Sequence, residues 1–455
     1  MSLQSTMKAV VFDGLYKISV QDRPVPQIRD GRDIIVKVYA AGLCGSELHI
    51  YRGHQPSGTG FIMGHEFTGT VVQVGSDVKT INIGDKVVAP FTASCGNCFF
   101  CNNGCSARCV ESQLFGCETL DGGQAEYVRI PMADGTAVKA PETISDEALL
   151  LMADIFPTGF YGVKSAMELV PSQNIQEATL VVVGCGPVGL CAILAATHFK
   201  PRHLFAIDSV ESRLEQARKL GAEPLNFETD RAGLEARIRE VTEGRGADMV
   251  VEVVGQAPAL RTAFDIVRPF GAISSIGVHN KEIPWTGDDA YTKNIRVQMG
   301  RCPVRSVFNE ALHLLEQKQD KIGFLFDHKM PLAQAPEGYT LFEQRKTQKV
   351  VFTLVIMHCC QNKSLLSWAF VLDGIEDIGE RFDGPFFLRM HCQHPFELWS
   401  LIQGFACSLL TFQGSNLVVR VDVEPARWQA SDQGPMSCCF MNVEGGPIML
   451  ILQVV

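Results

Sequence analysis

Twenty consecutive residues without a charge, 178–197 (ATLVVVGCGPVGLCAILAAT), constrain the fold of this chain more than any other segment. A run of that length can cross a bilayer as a helix. Three glycines and a proline interrupt it, however, and a buried strand, a tight turn and a buried helix produce the same run. Gly184, Gly186 and Gly189 stand as G-x-G-x-x-G at the end of the strand-like LVVVG (180–184) and ahead of an apolar helical stretch. In that context the glycines allow a tight turn and the approach of backbone to a pyrophosphate at a helix N-terminus. The segment reads as strand, turn and helix, and a membrane span is not expected.

The pattern repeats downstream. LFAID (204–208), MVVEVVG (249–255) and AISSIG (272–277) are strand-like and separated by helical stretches. In one stretch Leu214, Ala217 and Leu220 share a face and Gly221 is placed to stop the helix; in the next, Leu234, Ile238 and Val241 do the same. Alternating strands and helices predict βαβ units and a doubly wound parallel sheet of the Rossmann type, an α/β architecture. Asp208 ends the second strand nineteen residues beyond Gly189, where a carboxylate accepts hydrogen bonds from an adenosine ribose and repels a 2′-phosphate. NAD is therefore expected rather than NADP.

Upstream the composition differs. The first 150 or so residues are rich in Gly and β-branched residues, with runs such as IIVKVYA (34–40) and GTVVQVG (69–75), and predict a β-rich unit. At 455 residues the chain exceeds a single core, so two or three domains are expected. The boundaries read as 1–152 for the β-rich unit, 153–299 for the dinucleotide unit, and 300–354 for a mixed segment ending in the strand-like KVVFTL (349–354). A net charge of −10 argues against nucleic acid and against an acidic membrane as partners. Sixteen cysteines and a start without a charged and then apolar leader suggest thiols or metal ligands in a reducing compartment, hence the cytoplasm.

Four of those cysteines are spaced for a metal. Cys95, Cys98, Cys101 and Cys109 form C-x2-C-x2-C-x7-C within 90–109, which has no periodicity and reads as a loop. Four thiolates on a loop suit tetrahedral Zn²⁺ in a closed, structural site. Cys105 and Cys117 lie close enough to remain alternative ligands. A weaker, dispersed signal comes from GLCGSELHIY, with Cys44, Ser46 and His49, and GHEFTG, with His65 and Glu66. Both are flanked by glycines, and Cys44 and His65 could supply two ligands of a second, open zinc site.

With GGQAEY (122–127), DIFPTG (154–159) and the closing KVVF, these motifs make residues 7–354 resemble the zinc-dependent medium-chain dehydrogenase/reductase family of the alcohol dehydrogenase type. The resemblance implies a GroES-like catalytic domain built from both ends of this stretch, with the Rossmann domain inserted between them. It implies a small alcohol or aldehyde as substrate, hydride transfer to NAD, two zinc ions per chain, and a homodimer or homotetramer. The third ligand of the catalytic zinc falls on Asp154, a choice similar to the glutathione-independent formaldehyde dehydrogenase branch, and Glu66 is a supporting partner or an alternative ligand. Ser46 and His49 match the proton relay and Thr158 the residue beside the nicotinamide. Pro187, Val188, Arg213, Gly277 and Val278 join the glycines and Asp208 in binding cofactor. Lys349 matches a basic position that meets the pyrophosphate, a role enlarged because Gly45 stands where some members carry a basic residue. The pocket walls fall in 47–61, 110–120 and 285–305, which no motif decodes. The competing reading is a non-catalytic relative that keeps the fold and the structural zinc. Its mark would be a degraded ligand, and every ligand position is filled by a competent residue.

Residues 355–455 lie beyond the resemblance, with six cysteines, a single lysine and no period. They read as an aberrant extension in preference to an accessory domain, because folded segments show local consistency.

Overall fold

The computed structural model describes residues 4–354, 436–443 and 446–453. The chain divides into two compact units, Met1–His358 and Cys359–Val455.

Within the first unit, six parallel strands form one sheet. In chain order they are Thr179–Val183, His203–Asp208, Glu223–Asn226, Ala247–Glu252, Val267–Ser275 and Arg296–Met299; in space the order is 3-2-1-4-5-6. The order reverses between the first and fourth strands, the crevice where such sheets take a dinucleotide. Side chains alternate between two cores along the first strand. Leu180 and Val182 face one, with Phe156, Val163 and Leu190; Val181 and Val183 face the other, with Phe205, Leu234 and Leu260. Burial on both faces explains the unbroken apolar run.

The uncharged segment at 178–197 resolves into the strand Thr179–Val183, a glycine turn, and the 13-residue helix Pro187–Phe199. No helix among the described residues is long and apolar enough to cross a membrane. Leu214 and Ala217 are buried on Glu211–Leu220, and Gly221 ends that helix with φ of 106°. The run MVVEVVG stops being a strand at Glu252, because its carboxylate accepts from Val254 N (2.7 Å) and Gly255 N (2.8 Å) and turns the chain.

A second sheet has seven strands drawn from both ends of the unit. His328–Pro331, Val350–Thr353, Ile34–Leu43, Glu66–Val74, Lys86–Val88 and Val138–Lys139 run in that spatial order. The long strand Ile34–Leu43 pairs Tyr127–Ile130 along 34–37 and Val350–Thr353 along 40–43. Residues 349–354 thus return to the β-rich part after the parallel sheet is complete. Ile34, Val36, Phe67, Val71, Val350 and Phe352 fill the core beneath.

The segment 90–109, read as a loop, holds a helical turn at Phe99–Asn102 and a 3-10 turn at Ser106–Arg108. Their i,i+4 and i,i+3 backbone bonds close too few turns to leave a periodic pattern.

In the second unit two antiparallel strands are described, Met436–Val443 and Gly446–Gln453, in register from Met436↔Gln453 to Val443↔Gly446. The reading of 355–455 as aberrant otherwise falls outside the described residues.

Candidate active site and metal centres

Three chain segments converge on one buried point. Cys44 follows the strand Ile34–Leu43 and caps the helix Gly45–Tyr51. His65 directly precedes, and Glu66 opens, the strand Glu66–Val74, and Asp154 caps the helix Ile155–Leu169. One donor atom from each of Cys44, His65, Glu66 and Asp154 lies within 4.8 Å of the others, and all four residues are buried. Asp154 Oδ2 is 3.5 Å from Cys44 Sγ and 3.2 Å from His65 Nε2.

The electrostatics of the cluster call for a cation. Burial first, then the Asp154 and Glu66 charges, pushes the Cys44 thiol up. Burial opposes the charged form of His65, but Glu47 and then Asp154 outweigh it and raise the imidazole well above its ordinary value. Burial would also raise Asp154, but the hydrogen bond and charge of His65 hold it low. Glu66 Oε1 is buried without a partner. A thiol, an imidazole and two carboxylates form a mixed S, N, O donor set that suits zinc. The residues fit the metal.

Neighbouring side chains hold the donors. Thr158 Oγ1 donates to Asp154 Oδ1 at 2.8 Å, one helical turn on. Ser46 is exposed, with its Oγ 3.8 Å from Cys44 Sγ. His49 lies on the same short helix with Nδ1 buried and unpartnered; burial first, then His54 and Arg52, draws its pKa down.

Sequence reasoning missed Glu47. Its Oε2 accepts from Cys44 N at 2.8 Å, and its Oε1 lies 3.5 Å from His65 Nδ1. The signal was present: C-x-x-E at 44–47 is the spacing of a capping box, and the structure forms one. Behind it, Tyr339 Oη donates to Gln124 Oε1 (2.9 Å), and Gln124 Nε2 donates to Gly42 O (3.1 Å).

Lys349 stands beside the donor cluster, bonded to one of its carboxylates. It is 1% exposed, and its Nζ donates to Glu66 Oε2 and to Leu43 O. Burial alone would lower its pKa, but the Glu66 carboxylate outweighs that and raises it. An ammonium this buried needs a fixed counter-charge, and Glu66 provides it.

At the dinucleotide turn the three glycines differ. Gly184 has φ of 99°, in the left-handed region. A Cβ at Gly189 would overlap Gly184 O, whereas one at Gly186 would meet nothing within 4 Å. Turn, open face and tight packing are the three roles a phosphate-binding turn needs. Pro187 and Val188 begin the helix that follows. Asp208 is buried, with Oδ2 accepting from Cys185 N (2.7 Å) and Oδ1 from Ser209 N (2.8 Å) and Val210 N (2.9 Å). Arg213 stands partly buried on the next helix. Gly277 packs backbone to backbone on Gly255, and Val278 is half exposed. Glu252 fastens this region from beneath, its Oε2 joined to Ser275 Oγ (2.7 Å) and His279 Nε2 (2.8 Å).

The helix Ile155–Leu169 ties the two sites together. Asp154 caps it, and a Cβ on its Gly159 would stand 2.5 Å from Ala192 N on the dinucleotide helix.

The sulfurs of Cys95, Cys98, Cys101 and Cys109 form a separate group within 4.8 Å of one another. A tetrahedral Zn–S site places sulfurs about 3.8 Å apart, and Cys95 and Cys109 stand at 3.4 Å. Amide donors at Cys101 and Val110 draw the Cys98 thiol down to about 6, while burial pushes Cys101 up to about 12. Cys105 and Cys117 lie outside this group.

Known proteins agree with this architecture. Residues 30–142 match the family model of the alcohol dehydrogenase GroES-like domain, and 187–317 that of the zinc-binding dehydrogenases. Zinc-type alcohol dehydrogenase B of Aspergillus flavus is 60% identical over 352 residues, covering 77% of this chain and 82% of that protein. Glutathione-independent formaldehyde dehydrogenase of Bacillus subtilis is 32% identical, covering 76% of this chain and 96% of that one. The solved structure of alcohol dehydrogenase TADH from Thermus sp. ATN1 superposes with a TM-score of 0.71 at 34% identity, over 76% of this chain and 99% of its own. The chain belongs to the zinc-dependent medium-chain dehydrogenases of the alcohol dehydrogenase type.

Proposed function

We propose that this protein interconverts an alcohol and its aldehyde or ketone by hydride transfer to NAD. The observation that carries the reading is the helix Ile155–Leu169, which caps a four-donor metal cluster with Asp154 and packs its Gly159 onto the dinucleotide helix. Cys44, His65 and Asp154 would hold the catalytic zinc, with Glu66 in support or as an alternative ligand; Cys95, Cys98, Cys101 and Cys109 would hold a structural one. Bound at the first site, the metal supplies Lewis acidity that lowers the pKa of a substrate hydroxyl. The hydride acceptor is the nicotinamide, whose chemistry is its own.

The protein's part is to hold and to move protons. With His65 Nδ1–H directed at Glu47, Nε2 keeps its lone pair for the metal. Thr158 fixes the rotamer of Asp154. One thiolate and one carboxylate balance a divalent cation, so the loaded site is neutral. Ser46 Oγ, exposed beside Cys44, would take the substrate proton while giving up its own, and His49, bridged to Ser46 by the cofactor ribose, would pass the proton to solvent. Because the pKa of His49 is drawn down, its neutral form prevails at neutral pH and can accept that proton. Gly186 leaves room for the pyrophosphate, and the Asp208 carboxylate disfavours a 2′-phosphate.

In this reading the GroES-like domain comprises 1–152 and 300–354, the Rossmann domain 153–299, and 355–455 is an extension. The protein would act in the cytoplasm as a homodimer or homotetramer. The test is a panel of primary and secondary alcohols, polyols and aldehydes with NAD and with NADP, alongside metal analysis. We expect NADH formation from some alcohol, about two zinc ions per chain, and loss of turnover in Cys44→Ala and His65→Ala. Less than one zinc together with no cofactor binding would sink the proposal, and preference for NADP would remove the role given to Asp208.

A further inference from the structure

We infer that Arg301, supported by Arg108, binds an anionic group on the substrate, so that the alcohol or aldehyde taken carries a carboxylate or phosphate. This rests on the reading above. Arg301 follows the last strand of the parallel sheet, Arg296–Met299, and its Cζ stands 5.9 Å from the centre of the Phe91 ring. That ring meets the metal-donor His65 edge-on at 6.1 Å, and Phe91 N donates to Ala153 O beside Asp154. The next residue, Cys302, donates to Pro157 O at 3.5 Å, one residue before Thr158. Arg301 therefore stands one phenyl ring away from the metal donors.

Among the described residues its charge has no fixed partner. Elsewhere Arg32 and Arg52 pair with Glu111 and Glu343. Among the described residues neither Arg301 nor Arg108 forms an ion pair or a side-chain hydrogen bond, and both are exposed and so reachable by a ligand. Reciprocal bonds between Ser106 and Ser306 (3.1 and 3.2 Å) hold the Ser106–Arg108 turn against the segment that carries Arg301. Burial first, then the Arg108 charge, draws the Arg301 pKa below the ordinary value, while Asp154 pulls the other way. Among the described residues neither guanidinium has an acid as its ion-pair partner, and the Arg108 charge acts on Arg301. An unpaired guanidinium beside a second cation is an unfavourable arrangement that a bidentate anion relieves. Because the loaded metal site is neutral, it does not itself attract a substrate anion. Arg301 supplies that selection.

The experiment uses the zinc-loaded full chain and three alcohols of equal chain length: an ω-hydroxycarboxylate, a diol monophosphate and an ω-hydroxyamide. kcat/KM is measured for each in the parent, in Arg301→Gln and in Arg108→Gln, with thermal midpoints recorded as a check on folding. A charge-assisted bidentate contact predicts that the parent prefers one of the two anions over the amide by about 10- to 100-fold. That ratio should fall about tenfold or more in Arg301→Gln, by less in Arg108→Gln, and recover in part in Arg301→Lys. The arm that shows the preference identifies the anion. Turnover of the amide without preference for either anion, or a preference unchanged in both glutamine variants, overturns the inference and leaves the alcohol oxidoreductase reading standing. No turnover of any alcohol with either cofactor overturns both.

Discussion

Replacing Lys349 by Met tests how the metal site is supported from behind. The Lys349 and Glu66 side chains are 1% and 0% exposed, and Lys349 Nζ is the sole partner of the Glu66 carboxylate among the described residues. The substitution keeps the volume of the stem and strips Glu66 of that partner. Removing one member of a buried ion pair costs about 3–5 kcal/mol, because the survivor remains charged and desolvated. For a unit of this size the cost lowers the thermal midpoint by roughly 4–7 °C. The loss has a pH signature. Burial, ahead of the opposing Lys349 charge, already raises the Glu66 pKa above its ordinary 4.5. Without the lysine it rises further. A carboxyl whose folded pKa lies above its unfolded value stabilises the fold when protonated, and that contribution disappears as pH rises through the folded pKa. Lys349→Met should therefore be closer to the parent at pH 5 than at pH 9. The assay is thermal and urea unfolding at both pH values for the parent, Lys349→Met, Glu66→Gln and the double variant. The double variant should lose less than the sum of the single losses by about 2 kcal/mol. A single-variant loss under about 0.5 kcal/mol, or strict additivity, would refute the argument.

Three further outcomes follow from the same geometry. Gly186→Ala should fold with unchanged stability yet bind NAD weakly, whereas Gly189→Ala should lose about 1–3 kcal/mol from overpacking as well as affinity, measured by thermal unfolding and cofactor fluorescence titration. Glu47→Gln removes the carboxylate behind His65 and should weaken catalytic zinc about 10- to 100-fold, read by competition with a chelator while the four-cysteine site keeps its metal. Asp134 accepts from Lys79 N, Thr80 N and Thr80 Oγ1, and despite burial the Thr80 bonds hold its pKa low. Its contribution is present above the unfolded value and lost as pH falls through the folded one, so Asp134→Asn should flatten the acid limb of the stability profile below about pH 4.

Features carried by short-range pattern were legible in the sequence. The parallel sheet showed in apolar runs because both its faces are buried, and the glycine turn showed because Gly184 and Gly189 each have a local backbone reason. The four-cysteine group is compact along the chain for the same cause: a loop of fifteen residues supplies every ligand. Cys44 and His65 gave only a weak, dispersed signal, and Asp154 became legible only through family motifs, since 89 residues separate His65 from its hydrogen-bond partner Asp154. Supporting groups divide along the same line. Glu47 and Thr158 sit three and four residues from the donors they hold, at helical spacing, and could have been found by that spacing. Tyr339 and Gln124 lie 215 residues apart, and no local pattern joins them.

The place of Lys349 is set by strand register: Val350 pairs with Leu43 in an antiparallel ladder, which brings Lys349 opposite Cys44. Glu66 pairs with Gly42 on the other side of the same strand, so one central strand holds both partners at the level of the metal donor. A slip of one residue would turn the Lys349 side chain to the opposite face of the sheet and leave Glu66 unpaired. The return of the chain after the parallel sheet therefore does more than close a domain. It delivers the counter-charge that allows a second carboxylate to be buried beside Cys44, His65 and Asp154. The proposed metal cluster is therefore supported by residues from both ends of the family stretch.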